Sequence, residues 1–506
     1  MITKRNNTQS LFFDLECIAP DLLNNDSFYS LMHASRDVFL KDEDYAQLYS
    51  PDTGRPGIPP SIIAGTLILQ RNDEISDYEA IERLKYDLRW KYALNLPLDY
   101  EGFDRTVLVK FRSKLIAAGL ERVPFDNLMK LAVEAKILSP ENIQLADTSH
   151  ILGAAAVQDT YQLIRSAILG ALKQVGVKPA NLEKYREGKA DIDWEDRYQR
   201  ARHLKELVAD AREVLNAAEG TEAKDNEAVK LLKDILGQDI NEKDEIIKGT
   251  AKNRIISTND TEMRHGRKSS SKRFDGHKAQ IAEDLESELI TNIDVIPGNA
   301  HDSTGSVELM TEQEDILGGR PRTLMGDGAY GTADNRADME EAGIEVISKV
   351  RDDSSPDKYS KSDFKINLEQ NEVTCPAGHI TTKYSYGKDN KKRRVRIYKF
   401  KAGLCNECPH KDKCTKSDKG KAIALNYHEA KLQKAREYQQ SEEFKELYPL
   451  RSTVERKISE VMHRHGCRQA RWIGMVKTKL QLLLTAATVN FKRLGKIAPQ
   501  VLMPAG

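Results

Sequence analysis

Thr323-Leu324-Met325-Gly326-Asp327-Gly328-Ala329-Tyr330-Gly331 is a short apolar run that delivers a carboxylate into a turn, with a glycine on each side of it. A run of this length bounded by turn residues reads as a strand. The segment after it, from about Ala333 to Ala342, carries a helical pattern, and a second apolar run follows at Ile344 to Val350. The same arrangement stands far upstream, where Ile143 to Ala146 ends at Asp147 and Thr148, Ser149 and His150 follow. Between the two acids, Phe274 to Ala282 and Leu289 to Ile296 read as strands and Gly298-Asn299 as a turn. Strands followed by helices of this length imply an α+β or α/β sheet domain.

The 506 residues hold 78 basic and 78 acidic side chains, a formal net charge of zero, which excludes a uniformly basic nucleic-acid coat. Counted locally, the balance is uneven. Residues 181–247 carry 18 acidic and 12 basic side chains, 391–420 carry 3 and 11, and 448–494 carry 2 and 10. Local fields rather than the total steer a polyanion, although each block alone also suits a solvated face. The length predicts about three domains, or one large domain with insertions. The most apolar stretches, Ile58 to Leu69 and Leu480 to Phe491, fall short of the roughly 18 residues a membrane span needs. Met1 to Phe13 lacks the apolar run of a secretory signal, so a soluble protein that stays where it is made is expected.

Residues 1–135 read as short helices forming an N-terminal domain. Proline at 59 and 60 opens an apolar helix after the loop 50–57. Ser76 with Glu79 forms a capping box for a helix through about Trp90, and Asp104 caps another that exposes Lys110, Arg112 and Lys114. Such helices suit a DNA reader or a plain bundle equally. A sheet domain is expected over 140–350 plus 445–495. It is interrupted by a helical insertion at 153–250, where Leu204, Leu207, Val208, Ala211 and Leu215 line one face, and by a cysteine-rich basic insertion at 351–444. A tail occupies 496–506.

Asp147 and Asp327 stand at strand ends, and a third acid, Glu455, lies in the helical segment Arg451 to His465. Hard divalent cations take oxygen ligands, and a pair of ions about 3.5 to 4 Å apart activates an attacking oxygen while stabilising a leaving one. Phosphoryl transfer on nucleic acid calls for this kind of set. The glycines beside Asp327 let backbone and substrate approach a shared metal.

Leu145-Ala146-Asp147-Thr148-Ser149, Leu324 to Gly331, and Tyr448-Pro449-Leu450-Arg451-Ser452-Thr453-Val454-Glu455 resemble the three acidic motifs of DDE transposases from bacterial insertion sequences. Phe274-Asp275-Gly276-His277-Lys278-Ala279 and Ile296 to Asp302 are similar to that family's intervening strands, and Gly102 to Thr106 with Phe111-Arg112 to its end-binding domain. The resemblance spans roughly 10 to 495. It implies an RNase H-like mixed sheet and catalysis by Asp147, Asp327 and Glu455 holding two Mg²⁺ (or Mn²⁺). The implied activity is cleavage at the ends of a mobile element, followed by transfer of the 3′-OH to target DNA. The implied partners are double-stranded DNA, as terminal inverted repeats and target, and a second copy of the chain in a homodimer; the implied location is the bacterial cytoplasm, on the nucleoid. Tyr448, Arg451, Arg464, Lys278, Lys392, Arg393 and Arg394 are the expected DNA contacts. The family's spacing of Tyr, Arg, Glu and Lys holds for Tyr448, Arg451 and Glu455, but the Lys position is Met462, with His463, Arg464 and His465 as substitutes. A nuclease without strand transfer and a non-catalytic DNA-binding descendant are the alternatives.

Cys375, Cys405, Cys408 and Cys414 give four thiols with one C-x-x-C knuckle, a set that suits tetrahedral Zn²⁺. Reduced buried thiols, or exchange of a ligand with His379 or His410, suit it too. Lys391 to Arg396 makes the segment a basic finger over DNA. Lone Cys17 and Cys467 read as packing positions, and Trp194 as packing across the inserted helices.

Overall fold

The computed structural model describes residues 3–5, 27–50, 57–175, 191–269, 271–350, 358–389 and 393–503. The loop expected at 50–57 lies largely outside them, as do Cys17, Lys391 and Lys392. A mixed six-stranded sheet is built from β1 (Gln144–Leu152), β2 (Arg264–Arg267), β3 (Arg273–Asp284), β4 (Ile290–Pro297), β5 (Thr323–Gly326) and β6 (Glu345–Ile347). Its order is β2-β3-β1-β5-β6, with β4 also pairing β3. The β3 neighbours are antiparallel, whereas β1, β5 and β6 run parallel. Helices flank the sheet, giving a mixed α+β fold.

Two strand expectations need correction. β1 does not stop at Asp147 but runs on to Leu152, because β3 keeps pairing with it as far as Leu152 opposite Gly276. The polar residues Thr148, Ser149 and His150, expected to follow the strand's end, therefore have their backbone groups satisfied in a ladder. β6 is shorter than the apolar run 344–350, since Ser348 turns aside to donate its hydroxyl to the Asp327 carbonyl at 2.6 Å.

The N-terminal region is helical as expected. Pro60 opens the helix Pro60–Asp73, and the box at Ser76 forms in both directions, Ser76 N to Glu79 Oε2 at 2.8 Å and Glu79 N to Ser76 Oγ at 3.2 Å. That helix ends at Tyr86 rather than Trp90, because Asp87 caps a separate helix, Leu88–Ala93, by accepting from the Arg89 amide. Asp104 accepts from the Thr106 amide at 2.8 Å at the start of Thr106–Ala118. Lys110 and Lys114 are exposed, but Arg112 is buried, paired with Asp77 and lying 4.6 Å from the Trp472 ring centroid. Its place in the apolar face, beside Phe111 and Leu115, takes it inward once Asp77 is there to meet it.

The largest hydrophobic core is continuous. It joins these helices (Phe39, Ile68, Trp90, Phe125) to the sheet (Ile281, Ile293) and to the long C-terminal helix Met475–Ile497 (Leu483, Phe491). The insertion has a core of its own, formed by Thr160–Leu172, Arg197–Ala218 and Glu227–Asp239 around Leu207, Val208, Ala211 and Leu232. The cysteine-rich segment folds as two three-stranded antiparallel sheets. One comprises β7 (Lys365–Asn367), β8 (Glu372–Thr374) and β9 (Ile380–Thr381); the other comprises β10 (Tyr384–Lys388), β11 (Arg394–Lys399) and β12 (Ala422–Asn426).

Glu283 on β3 is fully buried opposite Leu145, and neither carboxylate oxygen has a hydrogen-bond partner. Burial pushes its pKa up to about 8, with Glu288 adding to the rise and Lys457 opposing it. Between the ordinary glutamate range and pH 8 the folded chain keeps a proton that the unfolded chain has lost. Its stability therefore falls as pH rises through that window. Glu283→Gln removes the dependence. Thermal melts should show the variant more stable than the parent at pH 8, by on the order of 1–2 kcal/mol, with no such gain near pH 4.5. An equal change at both pH values would contradict this account.

Candidate active site

Strands β1 and β5 pair in parallel through Gln144 with Leu324, Leu145 with Met325 and Ala146 with Gly326. The next residues in that register are Asp147 and Asp327, so the two acids emerge side by side where β5 stops. The Ser452–Ser459 helix packs on β1 through Val454, which shares a core with Leu145 and Met325, and it carries Glu455. The three sequence-predicted acids are thus brought to one end of the parallel pair.

Asp147 is mostly buried, and its pKa is pushed up to about 6. Burial is the main cause; Asp327 and Glu455 add to it, while the Thr148 amide and Arg451 oppose it. Its Oδ1 accepts from the Thr148 amide at 2.7 Å. Asp327 Oδ1 accepts from the Ala329 amide at 2.8 Å, which tightens the turn after β5. Glu455 Oε1 accepts from Arg451 Nη2 at 2.5 Å, so the ion pair one helical turn apart does form. The arrangement is a set of carboxylates that repel one another around a buried member, opposed by the Thr148 amide and the Arg451 guanidinium. Oxygen donors under mutual repulsion suit a hard divalent cation. Among the described residues, however, no group of three or more His, Cys, Asp or Glu side chains stands where it could hold a metal ion.

The glycine before Asp327 has a tighter role than expected. A Cβ at Gly326 would lie 2.7–2.8 Å from the Tyr330 side chain. The Tyr330 ring is fully buried, and its hydroxyl lies 2.9 Å from Thr148 Oγ1, which ties the loop after β5 back to β1. Asn335 donates to the Tyr330 carbonyl, and Arg336 donates to the Gly331, Val346 and Ser348 carbonyls. Sequence reasoning missed Thr148, Tyr330, Asn335, Arg336 and Ser348. The Tyr330 side of this bracket was signalled only by its place inside the glycine-rich turn.

Among the expected DNA contacts, Tyr448 stacks on Phe444 at 4.8 Å between centroids, and its hydroxyl donates to the Gly326 carbonyl at 3.4 Å, next to Asp327. Lys278 donates to Ala300 O and Asp302 Oδ1, pinning the loop after β4. Arg393 is paired with Asp389 and Asp334, whereas Arg394 is exposed on β11. At Glu460–Arg464 the helix widens into a π turn. Met462 goes into the core, while His463 and Arg464 are exposed. Arg464 lines a cleft of about 770 Å³ with Arg456, Lys492, Arg493 and Lys496. His465 is buried against the Arg71 carbonyl, Nδ1 to O 3.0 Å, and so does not stand in for the missing Lys. Arg468, not anticipated, reaches the far end of β1, where Nη1 lies 3.1 Å from Ser149 Oγ and 2.9 Å from His150 Nδ1.

The four cysteines line one small cavity of about 20 Å³ together with His379 and His410, room for a single water-sized or ion-sized occupant. The Cys375 amide donates to the His379 carbonyl at 2.8 Å, and the Lys421 amide donates to Cys405 Sγ at 3.5 Å. Burial pushes the Cys414 thiol up, the other three thiols add to the rise, and Lys421 opposes it. Buried Cys467 packs beside Thr485, and Trp194 packs edge-on against Tyr161 and His203 of the insertion, as expected.

Gly326→Ala should cost about 1–3 kcal/mol of stability by driving a methyl group into the Tyr330 ring. A denaturant midpoint unchanged from the parent would show that the loop yields.

No helix among the described residues is long and apolar enough to cross a membrane. No curated protein and no solved structure matches the chain. Two family models do: Transposase domain (DUF772) over residues 19–114 and Transposase DDE domain over residues 374–495. The second spans all four clustered cysteines together with Tyr448, Arg451 and Glu455, and neither covers Asp147 or Asp327. Transposase DDE domains belong to DNA-acting nuclease enzymes that in general use divalent metals. Transposase models thus match separate stretches near both ends of the chain, and together they support a DDE transposase of an insertion sequence.

Proposed function

We propose that this protein binds the ends of its mobile element as a homodimer, cleaves the terminal phosphodiester bonds and joins the freed 3′-OH to target DNA. The observation that carries the reading is the register of β1 and β5, which leaves Asp147 and Asp327 as neighbours beneath the helix bearing Glu455. The strand order β4-β3-β1-β5-β6, with β3 and its neighbours antiparallel, supports an RNase H-like catalytic domain. We assign that domain to 140–350 plus 445–495, and end binding to the helical region 1–135.

Asp147, Asp327 and Glu455 are the residues that would hold Mg²⁺ or Mn²⁺. When bound, the metals supply charge neutralisation at the phosphate and a nucleophilic oxygen at neutral pH. The protein's own contribution is positional. The Thr148 to Tyr330 bond ties the turn after Asp327 to the strand that carries Asp147, and the Ser348 to Asp327 bond ties that turn to the end of β6. Arg451, held at Glu455 and 5.9 Å from the Tyr448 ring centroid, stands beside the acids as a phosphate-binding cation. The raised Asp147 carboxyl is poised to lose its remaining proton character when positive charge enters the cluster.

Supercoiled plasmid bearing the element's ends should be nicked in the presence of Mg²⁺. Asp147→Asn, Asp327→Asn and Glu455→Gln should each lower the rate by roughly a hundredfold or more. Cutting that survives in Asp327→Asn and Glu455→Gln overturns the assignment, and cutting without joined products makes the protein a nuclease only.

The four cysteines, as placed, do not stand as a ready ligand set, but they share with His379 and His410 the lining of one cavity of single-ion size, and this supports a structural Zn²⁺ in the cysteine-rich module. Purified protein should then carry about one zinc per chain, and Cys405→Ser with Cys408→Ser should abolish it and lower the melting temperature. Metal-free protein of unchanged stability would exclude the site.

A further inference from the structure

Strands β10 and β11 carry a surface that the carboxylate site does not use. In their antiparallel register Tyr384 stands opposite Tyr398, Tyr386 opposite Arg396 and Lys388 opposite Arg394. Directly opposed and alternate residues share a face, so all six side chains project from one side of the sheet. At the Tyr398 end this face is closed by the module's own core, with Phe364, Ile423 and Leu425. Beyond it the face is open, with Tyr384 41% and Tyr386 67% exposed. The two rings meet edge to face, 5.7 Å between centroids at 86°. The Arg394 guanidinium lies 5.6 Å from the Tyr386 ring and that of Arg396 5.9 Å from the Tyr384 ring. Arg396 is braced by Asn371 Oδ1 at 2.9 Å, and Lys388 and Arg394 are exposed. On the opposite side of the sheet Gly387 packs so tightly that a Cβ there would lie 2.6 Å from Ile397 Cδ1.

Exposed aromatic rings interleaved with cations have a specific chemical complement. Phosphates pair with the cations and flat bases stack on the rings, but only where those bases are unpaired, because a duplex keeps its base faces stacked inside. The strong local excess of basic over acidic residues in 391–420 adds attraction for a polyanion. We propose that the β10–β11 face binds single-stranded DNA, with Tyr386 and Tyr384 stacking unpaired bases and Lys388, Arg394 and Arg396 holding the flanking phosphates. The proposal rests on the DNA-cutting reading only for the source of the strand: cleavage at an element end frees a terminus whose last bases can leave the helix.

The test uses full-length protein in magnesium-free buffer at fixed salt, with fluorescence anisotropy of a labelled mixed-sequence single strand and of the matching duplex. Tyr386→Ala should weaken single-strand binding roughly tenfold while changing duplex binding less than about twofold, and Tyr386→Phe should bind as the parent does. Arg394→Gln should flatten the salt dependence of single-strand binding. Because Tyr386 is exposed, its variants should melt with the parent protein, which separates lost contact from lost fold. Single-strand affinity unchanged in Tyr386→Ala, or single-strand and duplex affinities falling together, overturns the proposal. The reading of the carboxylate site fails separately, through DNA cutting by Asp327→Asn, and that failure leaves this binding measurement unaffected.

Discussion

The register of β1 is the constraint on which the site depends. β3 holds the strand on one side from Gln144 to Leu152, and β5 holds it on the other from Gln144 to Ala146. Alternate residues face opposite sides of a sheet, so a slip of one residue would turn Asp147 to the face where Thr148 now meets Tyr330 and would carry Thr148 to the face beneath the Glu455 helix. It would also end the coincidence by which both aspartates leave the parallel pair at the same level. The buried Leu145, packed with Met325 and Val454, resists that slip, since it too would have to exchange faces. The same hydrophobic contact that fixes the strand fixes the helix that brings Glu455.

Much of this was legible in the sequence because it follows from local patterns. The run ending in Gly326-Asp327-Gly328 is a strand and a turn whatever surrounds it, and the box at Ser76 and Glu79 forms from neighbours three residues apart. What the sequence left open depends on distant partners. β1 extends past Asp147 only because β3, more than a hundred residues later, supplies the ladder. Arg112 is buried only because Asp77 and Trp472 receive it. The Met462 mismatch shows the same limit in another form. Counting positions from Glu455 assumes about 100° per residue, and the π turn at Glu460–Arg464 breaks that assumption by holding an extra residue in its turn. Met462 is thereby free to serve the core while His463 reaches solvent.

Zero net charge conceals a division of labour that the fold makes physical. The acidic surplus sits largely in the helical insertion, which has its own core and so tolerates a surface of its own. The basic surplus falls on residues 391–420 of the cysteine-rich module and on 448–494, both within the DDE family match. Part of that positive charge is already spent on structure, through Arg393 to Asp334 and Lys361 to Glu429. Other members, Arg394 and Arg464 among them, are exposed.

The segment between the Glu455 helix and the last helix binds these parts together. His465 and Arg471 contact the Arg71 and Ile75 carbonyls of the N-terminal helices. Arg468 O accepts from the Leu152 amide and Ala470 N donates to the Leu152 carbonyl, each at 2.9 Å, so the segment extends the end of β1. Gly474 and Met475 amides then donate to Asp260 and Glu262, acids placed where the N-terminus of the long helix favours negative charge. Arg71 pays for this junction, buried and close to Arg471, its pKa held down to about 10 by burial and by that like charge. Burying a cation under such repulsion costs stability locally. The carbonyl of the same residue meets His465, so this cost falls where the N-terminal helices join the segment that runs on to the end of β1. Under the proposed function, that strap is what makes the grip on an element's end and the position of the scissile bond a single mechanical property.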